Sequence, residues 1–154
     1  LVGSEMCIRD RAHSMGGTVA IKLAQLKNPK GLILYAPGSN YSLENSNLIK
    51  SLDKLSKSQG LGEKDLGGIK LSAKIVDDSR KYNFLTMAED YKGKVIMIRG
   101  EKDPVIEKES MTLLEKKFSD CKYIEIENIG HNFTSYEKRL EMFELTNDFI
   151  RENI

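Results

Sequence analysis

Three short apolar runs, each ended by a turn of small or polar residues, constrain the fold of this chain more than any other feature of its sequence. They occupy residues 31–36, 94–99 and 123–126. Between and beside them, apolar residues recur at helical spacing, first at Met15, Val19, Leu23 and Leu26. Strands that alternate with helices predict an α/β protein. In such a protein, right-handed crossovers connect the strands of a parallel sheet, and helices flank the sheet.

Residues 38–90 differ from the rest of the chain. They are rich in Ser, Lys and Asn, and four glycines interrupt them between positions 60 and 68. They contain only two helical patterns, a weak one around 43–55 and one through Leu71, Ile75, Ser79 and Tyr82. We therefore expect this stretch to be a cap insertion over the sheet, which would cover the site and shape its pocket.

The first eleven residues do not fit a buried strand. Arg9, Asp10 and Arg11 stand directly before Ala12, and charges in a sheet that is covered on both faces carry large desolvation costs. The run from Met6 to Arg11 resembles translated sequencing-adapter sequence. We expect residues 1–11 to be an artefact or a disordered tail, and residues 12–154 to be the C-terminal part of one domain. The alternative is a real but divergent charged segment.

A serine, an acid and a histidine follow apolar runs or precede helices, in that order along the chain. Ser14 lies within Ala12-His13-Ser14-Met15-Gly16-Gly17, whose small residues allow a sharp turn into a helix. Asp103 follows the run at 94–99 and a glycine, and His131 follows the last run and Gly130. The carboxyl ends of parallel strands meet at one edge of a sheet. We therefore expect these side chains to cluster there, with His131 in the middle.

This trio of side chains is suited to nucleophilic catalysis. A serine hydroxyl becomes a good nucleophile when a base takes its proton, so Ser14 is the candidate nucleophile and His131 the candidate base. Asp103 would hold the imidazole in one tautomer and stabilise the imidazolium. The alternatives are a helix cap for Ser14, an Asp-Pro turn for Asp103 and a surface loop for His131. We expect His13 to point away from the hydroxyl, in a packing or supporting role.

Residues 12–154 resemble the C-terminal half of α/β-hydrolases, and among them the bacterial cinnamoyl/feruloyl-esterase-like carboxylesterases. The matching segments are residues 13–17, Leu66-Gly67-Gly68 with the helix after it, residues 100–104 and residues 130–133. The resemblance implies a partial α/β-hydrolase fold whose N-terminal strands are missing. It also implies a serine hydrolase that cleaves carboxylic esters through an acyl-enzyme, without a cofactor or metal. Ala12 departs from the family pattern, which has glycine there.

The same resemblance implies an incomplete site. The backbone N–H of Met15 would be one oxyanion donor, and the second would come from a loop after an early strand that this chain lacks. With the early strands absent, the strand at 31–36 would also lose a neighbour. We therefore expect the chain alone to be a poor catalyst.

Composition and charge limit the classes of partner that we expect for this chain. A net charge of +1 gives no reason to expect nucleic acid or an anionic membrane, and no apolar stretch is long enough to span a bilayer. The two cysteines form no disulfide framework, and no metal-ligand spacing is present. No signal peptide is visible, so we expect a cytoplasmic protein that acts on a small-molecule ester.

Several functions remain compatible with the sequence. A serine peptidase of the aminopeptidase kind and a lysophospholipase or monoacylglycerol lipase would share the same three residues. A non-catalytic fragment that uses the fold for binding is a further alternative. The substrate and the oligomeric state stay open.

Overall fold

The structure, a computed structural model, describes residues 9–39, 50–51, 53–54, 62–65 and 70–153. They fall into two compact units, one within 1–39 and 84–154 and the other within 40–83. Most of the predicted weak helix around 43–55, all of Leu66-Gly67-Gly68 and most of residues 1–11 lie outside the described residues.

Strands and helices alternate along most of the described chain, as predicted. In chain order the elements are β1 (Arg9–His13), α1 (Met15–Lys27), β2 (Gly31–Tyr35), β3 (Glu63–Asp65), β4 (Lys70–Ser72), α2 (Lys74–Ser79), α3 (Phe84–Asp90), β5 (Lys94–Gly100), α4 (Lys108–Glu115), β6 (Cys121–Ile126) and α5 (Tyr136–Asn153). Residues 50–51 and 53–54 are also helical.

In its described residues, the first unit contains a four-stranded parallel sheet in the order β1-β2-β5-β6. Arg9 to His13 pair with Gly31 to Tyr35, which in turn pair with Lys94 to Ile98. The expectation that β2 would lose a neighbour is wrong, because β1 pairs with it along all five positions. Since all four strands are parallel, their carboxyl ends lie at one edge, and the predicted α/β fold is confirmed.

The core lies on both faces of β2 and β5, whose residues are almost all buried. Because side chains alternate along a strand, Ile33, Ile96 and Ile98 face one side, where they pack with Met142 and Phe149 of α5. Their neighbours point to the other face and are also buried: Leu32, Leu34, Val95 and Met97. Burial on both faces explains why these strands read as continuous apolar runs.

Helix α1 has the predicted bounds, but the face that it buries is not formed by the apolar residues whose spacing predicted the helix. Those apolar residues are 39–64% exposed: Met15, Val19, Leu23 and Leu26. The buried residues are mostly small: Gly17, Thr18, Ala20, Ile21 and Ala24. Small side chains let the helix axis approach its neighbours closely, so the larger apolar side chains are left on the outer face of the described structure.

In the part of the chain that the structure describes, strand β1 lies at the edge of the sheet, where part of its surface reaches solvent. Asp10 and Ala12 are half-buried, whereas Arg11 and His13 are exposed. Among the described residues, the Asp10 Oδ2 atom is buried without a hydrogen-bond partner, which is unfavourable for a carboxylate. The interpretation of residues 1–11 as an artefact or tail stays a prediction.

The second unit contains a short antiparallel pair, β3 and β4, in which Glu63 lies opposite Ser72. The helix predicted through Leu71 begins later, at Lys74, because Leu71 belongs to β4. Helix α3, in the first unit, was not predicted. None of the helices in the described ranges combines the length and apolar character needed to cross a membrane.

Candidate active site

Ser14 occupies a sharp turn between β1 and α1. Its backbone has φ 55° and ψ −125°, a region that costs a non-glycine residue of order 1–3 kcal/mol. The Ser14 N–H donates to the Tyr35 carbonyl at 2.9 Å, and the Ser14 carbonyl accepts from the N–H of Gly17 at 2.9 Å and of Gly38 at 3.1 Å. The bonds with Tyr35 of β2 and with Gly38 of the loop after it hold the strained turn and place the hydroxyl beyond the end of β1.

Gly17 is required where α1 starts. A Cβ atom at this position would lie 2.5 Å from Pro37 Cβ and 2.8 Å from Pro37 Cα. Real Cβ atoms do not approach other carbons that closely, so only glycine lets the first turn of α1 rest against the loop that follows β2. The small residues that identified this motif in the sequence therefore have a steric cause.

Asp103 lies in the loop after β5, and its side chain is 0% exposed. The Oδ1 atom accepts hydrogen bonds from the backbone N–H of Val105 at 2.8 Å and of Ile106 at 3.0 Å. The Oδ2 atom lies 2.8 Å from Nδ1 of His131. One carboxylate oxygen thus fixes the loop, and the other faces the histidine.

The same contacts set the ionisation of Asp103. Burial favours the neutral acid, but hydrogen bonds from the His131 ring and from the two backbone N–H groups outweigh it. The pKa of Asp103 therefore lies below its ordinary value of 3.8. The carboxylate is charged at neutral pH, so it accepts the proton of His131 Nδ1.

His131 lies between the other two side chains, the position expected from chain order. It belongs to the loop after β6, and its side chain is 11% exposed. With Nδ1 donating to Asp103, Nε2 is free to accept the Ser14 hydroxyl proton, and the Nε2–Oγ distance is 2.9 Å. The three residues form a continuous hydrogen-bonded chain from a buried carboxylate to a half-buried hydroxyl.

Met15 is the first residue of α1. The N–H groups in the first turn of a helix have no carbonyl partner within that helix, and the helix dipole makes this end attractive to negative charge. The Met15 N–H is therefore chemically suited to bind an anion beside Ser14, and the residue as a whole is 59% exposed.

Arg99 supports the acid loop, a role that no pattern in the sequence predicted. Its side chain is buried and donates to three loop carbonyls, those of Ile106 at 2.7 Å, Asp103 at 3.0 Å and Glu101 at 3.3 Å. It also forms an ion pair with Glu125 on β6 at 2.7 Å. One guanidinium thus ties the loop of Asp103 to the neighbouring strand.

Replacing Arg99 with methionine is expected to lower the free energy of unfolding by about 3–5 kcal/mol, because three loop carbonyls lose their charged donor and Glu125, which keeps Tyr123 and Lys108, loses its ion pair with the guanidinium. Chemical denaturation monitored by circular dichroism measures the change. Lys122→Met, at an exposed position on β6, is the matched control and should change stability by less than about 0.5 kcal/mol. Equal effects in the two variants would contradict the assigned role.

Gly100 allows the acid loop and the histidine loop to touch. A Cβ atom there would collide with the Ile129 carbonyl oxygen and would lie 2.9 Å from the Gly130 oxygen. The Lys102 N–H also donates to the Ile129 carbonyl at 3.0 Å. The distance between Asp103 and His131 therefore depends on a backbone contact that a side chain would separate.

We expect Gly100→Ala to destabilise the protein by about 1–3 kcal/mol, the usual cost of overpacking. Gly130→Ala is the control, because a Cβ atom at that position meets its nearest neighbour, the Lys102 oxygen, at 3.5 Å. Thermal unfolding of both variants tests the expectation, which fails if Gly130→Ala is the more damaging change.

The described residues contain no group of three or more His, Cys, Asp or Glu side chains placed to hold a metal ion. Burial, reinforced by the nearby Glu115 and Asp120, raises the pKa of the Cys121 thiol to about 12. Cys121 is therefore a protonated, inert thiol at neutral pH.

Comparison with solved structures shows the same fold. The ferulic-acid-bound Est1E from Butyrivibrio proteoclasticus is 20% identical with a TM-score of 0.70, over 93% of this chain and 58% of that one. A monoacylglycerol lipase from Paleococcus ferrophilus is 17% identical with a TM-score of 0.72, over 95% of this chain and 68% of that one. An esterase domain from Rhodothermus marinus is 12% identical with a TM-score of 0.71, over 94% and 60%.

No protein-family model matches the sequence, and no curated protein matches it either. The chain spans 58% of Est1E and 60% of the Rhodothermus esterase domain, so it corresponds to part of these longer chains. The three solved structures are an esterase, an esterase domain and a lipase, and all align with nearly the whole of this chain. This chain therefore has a partial α/β-hydrolase fold.

Proposed function

We propose that Ser14, His131 and Asp103 are the catalytic triad of a carboxylic ester hydrolase that works through an acyl-enzyme. The observation that carries this proposal is the pair of hydrogen bonds on one imidazole, 2.8 Å to Asp103 and 2.9 Å to Ser14. The strained backbone of Ser14 and the buried, charged state of Asp103 support it, because both are features of an arranged nucleophile rather than of a helix cap and a turn.

In the first half of the reaction, Ser14 Oγ attacks the ester carbonyl carbon while His131 Nε2 takes the hydroxyl proton. Negative charge develops on the carbonyl oxygen, which the Met15 N–H stabilises. Asp103 stabilises the imidazolium that forms. His131 then gives its proton to the leaving alcohol, and an acyl group remains on Ser14.

In the second half, His131 Nε2 takes a proton from water as the water oxygen attacks the acyl carbon. The tetrahedral intermediate collapses, the Ser14 oxygen regains a proton from His131, and the carboxylic acid leaves. Every proton is returned, and the proposed cycle uses only the three side chains, the Met15 N–H and water.

The solved structures with this fold favour an ester over an amide. Est1E has been solved with ferulic acid bound, and a second similar structure is a monoacylglycerol lipase. We propose a small carboxylic ester as the substrate of this chain, and an aryl ester of a hydroxycinnamic acid as the first compound to test.

Covalent labelling of the 154-residue chain by a fluorophosphonate tests the proposal. The reagent phosphonylates a serine whose hydroxyl is activated by a base, and mass spectrometry locates the adduct. Labelling consumes one equivalent and needs no turnover, so it is measurable even in a slow enzyme. We expect the adduct on Ser14 and none in Ser14→Ala.

Ser135→Ala is the matched control, because Ser135 is an exposed serine before α5 and should be irrelevant to labelling. A folded chain that is not labelled, or is labelled equally in Ser14→Ala, would overturn the proposal. Hydrolysis of an aryl ester compared with the corresponding anilide then separates an esterase from a peptidase.

A further inference from the structure

His13 contacts the residue that we propose as the base. Its Nε2 atom lies 2.9 Å from the backbone carbonyl oxygen of His131. A carbonyl oxygen has no proton to give, so His13 Nε2–H donates this bond. The two imidazole rings are also stacked at a tilt, with centroids 4.8 Å apart, and Phe133 meets His13 edge-on at 6.1 Å.

Phe133 of the loop that carries His131 packs against Tyr35 of β2, and, among the described residues, the backbone–backbone hydrogen bonds of residues 129–133 run to the acid loop or stay within the loop. The Ile129 carbonyl accepts from the Lys102 N–H at 3.0 Å, and the Gly130 carbonyl accepts from the Phe133 N–H within the loop at 3.2 Å. Phe133 has a φ of 47°, a conformation that a non-glycine residue keeps only when its surroundings enforce it. The bond from His13 joins the backbone of this loop to the end of β1, beside the contact between the His131 ring and the Ser14 hydroxyl.

We propose that His13 is a positioning residue, which sets the distance between the His131 ring and the Ser14 hydroxyl. His13 and Ser14 are adjacent at the end of β1, so the strand end that presents the nucleophile also holds the loop of its base. This inference rests on the proposed function and extends it. The His131 ring must reach two partners at 2.8 and 2.9 Å at once, and a small rotation of its loop would lengthen one of these bonds.

Two variants separate the hydrogen bond from the ring contact. In His13→Gln, the side-chain amide places an N–H donor near the original Nε2 but removes the ring. In His13→Phe, the ring remains and the donor is lost. A structural role in packing predicts that phenylalanine is the better replacement, whereas a positioning role predicts that glutamine rescues function.

The first readout is the rate of fluorophosphonate labelling at Ser14 in the 154-residue chain. We expect His13→Phe to lose about 10-fold to 100-fold, since one hydrogen bond contributes up to about tenfold and misplacement of a reacting group costs more. His13→Gln should stay within about threefold of the parent, since its donor is retained. Equal rates in the parent and His13→Phe, or a larger loss in His13→Gln than in His13→Phe, would overturn the proposal.

The second readout is the proton NMR signal of His131 Nδ1–H. The chain has two histidines, and the signal of a proton held between imidazole and carboxylate is assigned by its absence in Asp103→Asn. We expect this signal to persist in His13→Gln and to shift or broaden in His13→Phe, while the backbone amide spectrum stays dispersed. An unchanged signal in folded His13→Phe would refute the positioning role. Failure of the parent to label at Ser14 would instead refute the proposed function, so the two failures are distinguishable.

Discussion

Asp103→Asn is expected to slow fluorophosphonate labelling of Ser14 by about 10⁴-fold while the fold persists, the size of effect known for the equivalent change in a Ser-His-Asp triad. An asparagine amide offers its N–H₂ or its oxygen to His131, and the backbone N–H groups of Val105 and Ile106 select the oxygen for themselves. The amide N–H₂ then faces His131 Nδ1, which must give up its proton to accept. Nε2 becomes protonated and no longer accepts from Ser14.

The stability of the same variant should depend on pH. Because the folded-state pKa of Asp103 is depressed below 3.8, ionised Asp103 stabilises the fold above that pH and loses this contribution as the pH falls through the folded-state value. The stability difference between the parent and Asp103→Asn should therefore be largest near neutral pH and shrink below about pH 4. Urea unfolding at pH 7 and pH 3.5 measures it.

Asp120→Asn is the matched control for both measurements. Asp120 is exposed and forms a surface ion pair with Lys94 at 3.2 Å, which should contribute less than about 1 kcal/mol. Its labelling rate should equal that of the parent. A comparable loss of rate in both variants, or an unimpaired Asp103→Asn, would remove Asp103 from the proposed triad.

The position of the site was predictable because it follows from strand direction. Residues after parallel strands must meet at one edge, so Asp103 and His131 were placed by the runs before them. The turn at Ser14 was visible through its small neighbours, and Gly17 shows why, since a Cβ atom there would collide with Pro37. These signals are local, so they are readable in one sequence.

The contacts that support the candidate site were not predictable, because their acceptors are backbone carbonyls. Arg99 binds loop carbonyls, and His13 binds the carbonyl of His131. Every residue has a carbonyl, so no residue type marks the partner, and the bond exists only once the loops have folded. An arginine at the end of an apolar run also reads as a surface charge, although Arg99 is 5% exposed.

Helix α1 illustrates a second limit of prediction from the sequence. Periodicity showed that residues 15–27 form a helix, but it could not decide which of two apolar faces meets the sheet. The larger side chains at Val19 and Leu26 are 64% and 63% exposed, whereas Ala20 and Ala24 are buried. Strands β3 and β4 were missed because three residues are too few to show alternation.

A longer polypeptide that includes sequence upstream of β1 is expected to hydrolyse a short aryl ester at least 10²-fold to 10³-fold faster than the 154-residue chain, roughly the effect of one oxyanion donor. Met15 supplies one such donor in the proposed mechanism. In the α/β-hydrolase fold, the second comes from a loop after an early strand. The chain covers 58% of Est1E, so a longer form has room for that segment.

The edge of the sheet is a second reason to expect slow turnover by the 154-residue chain. In the described residues β1 is the edge of the sheet, and beside it α1 exposes the apolar side chains of Met15, Val19 and Leu26. An open strand edge next to apolar surface favours association with other chains. It also leaves the turn at Ser14 supported from one side, and a displacement of about 1 Å at a reacting group costs about 10²-fold in rate.

The decisive comparison is between the 154-residue chain, the extended chain and the extended chain with Ser14→Ala, with turnover measured at equal concentrations of folded protein. We expect the extended chain alone to be fast and its Ser14→Ala variant to fall to the background. The 154-residue chain should label at Ser14 yet turn over ester only slightly faster than its own Ser14→Ala variant. If it instead turns over ester as fast as the extended chain and in a Ser14-dependent manner, the four described strands and the Met15 N–H are sufficient for catalysis, and no upstream donor is needed.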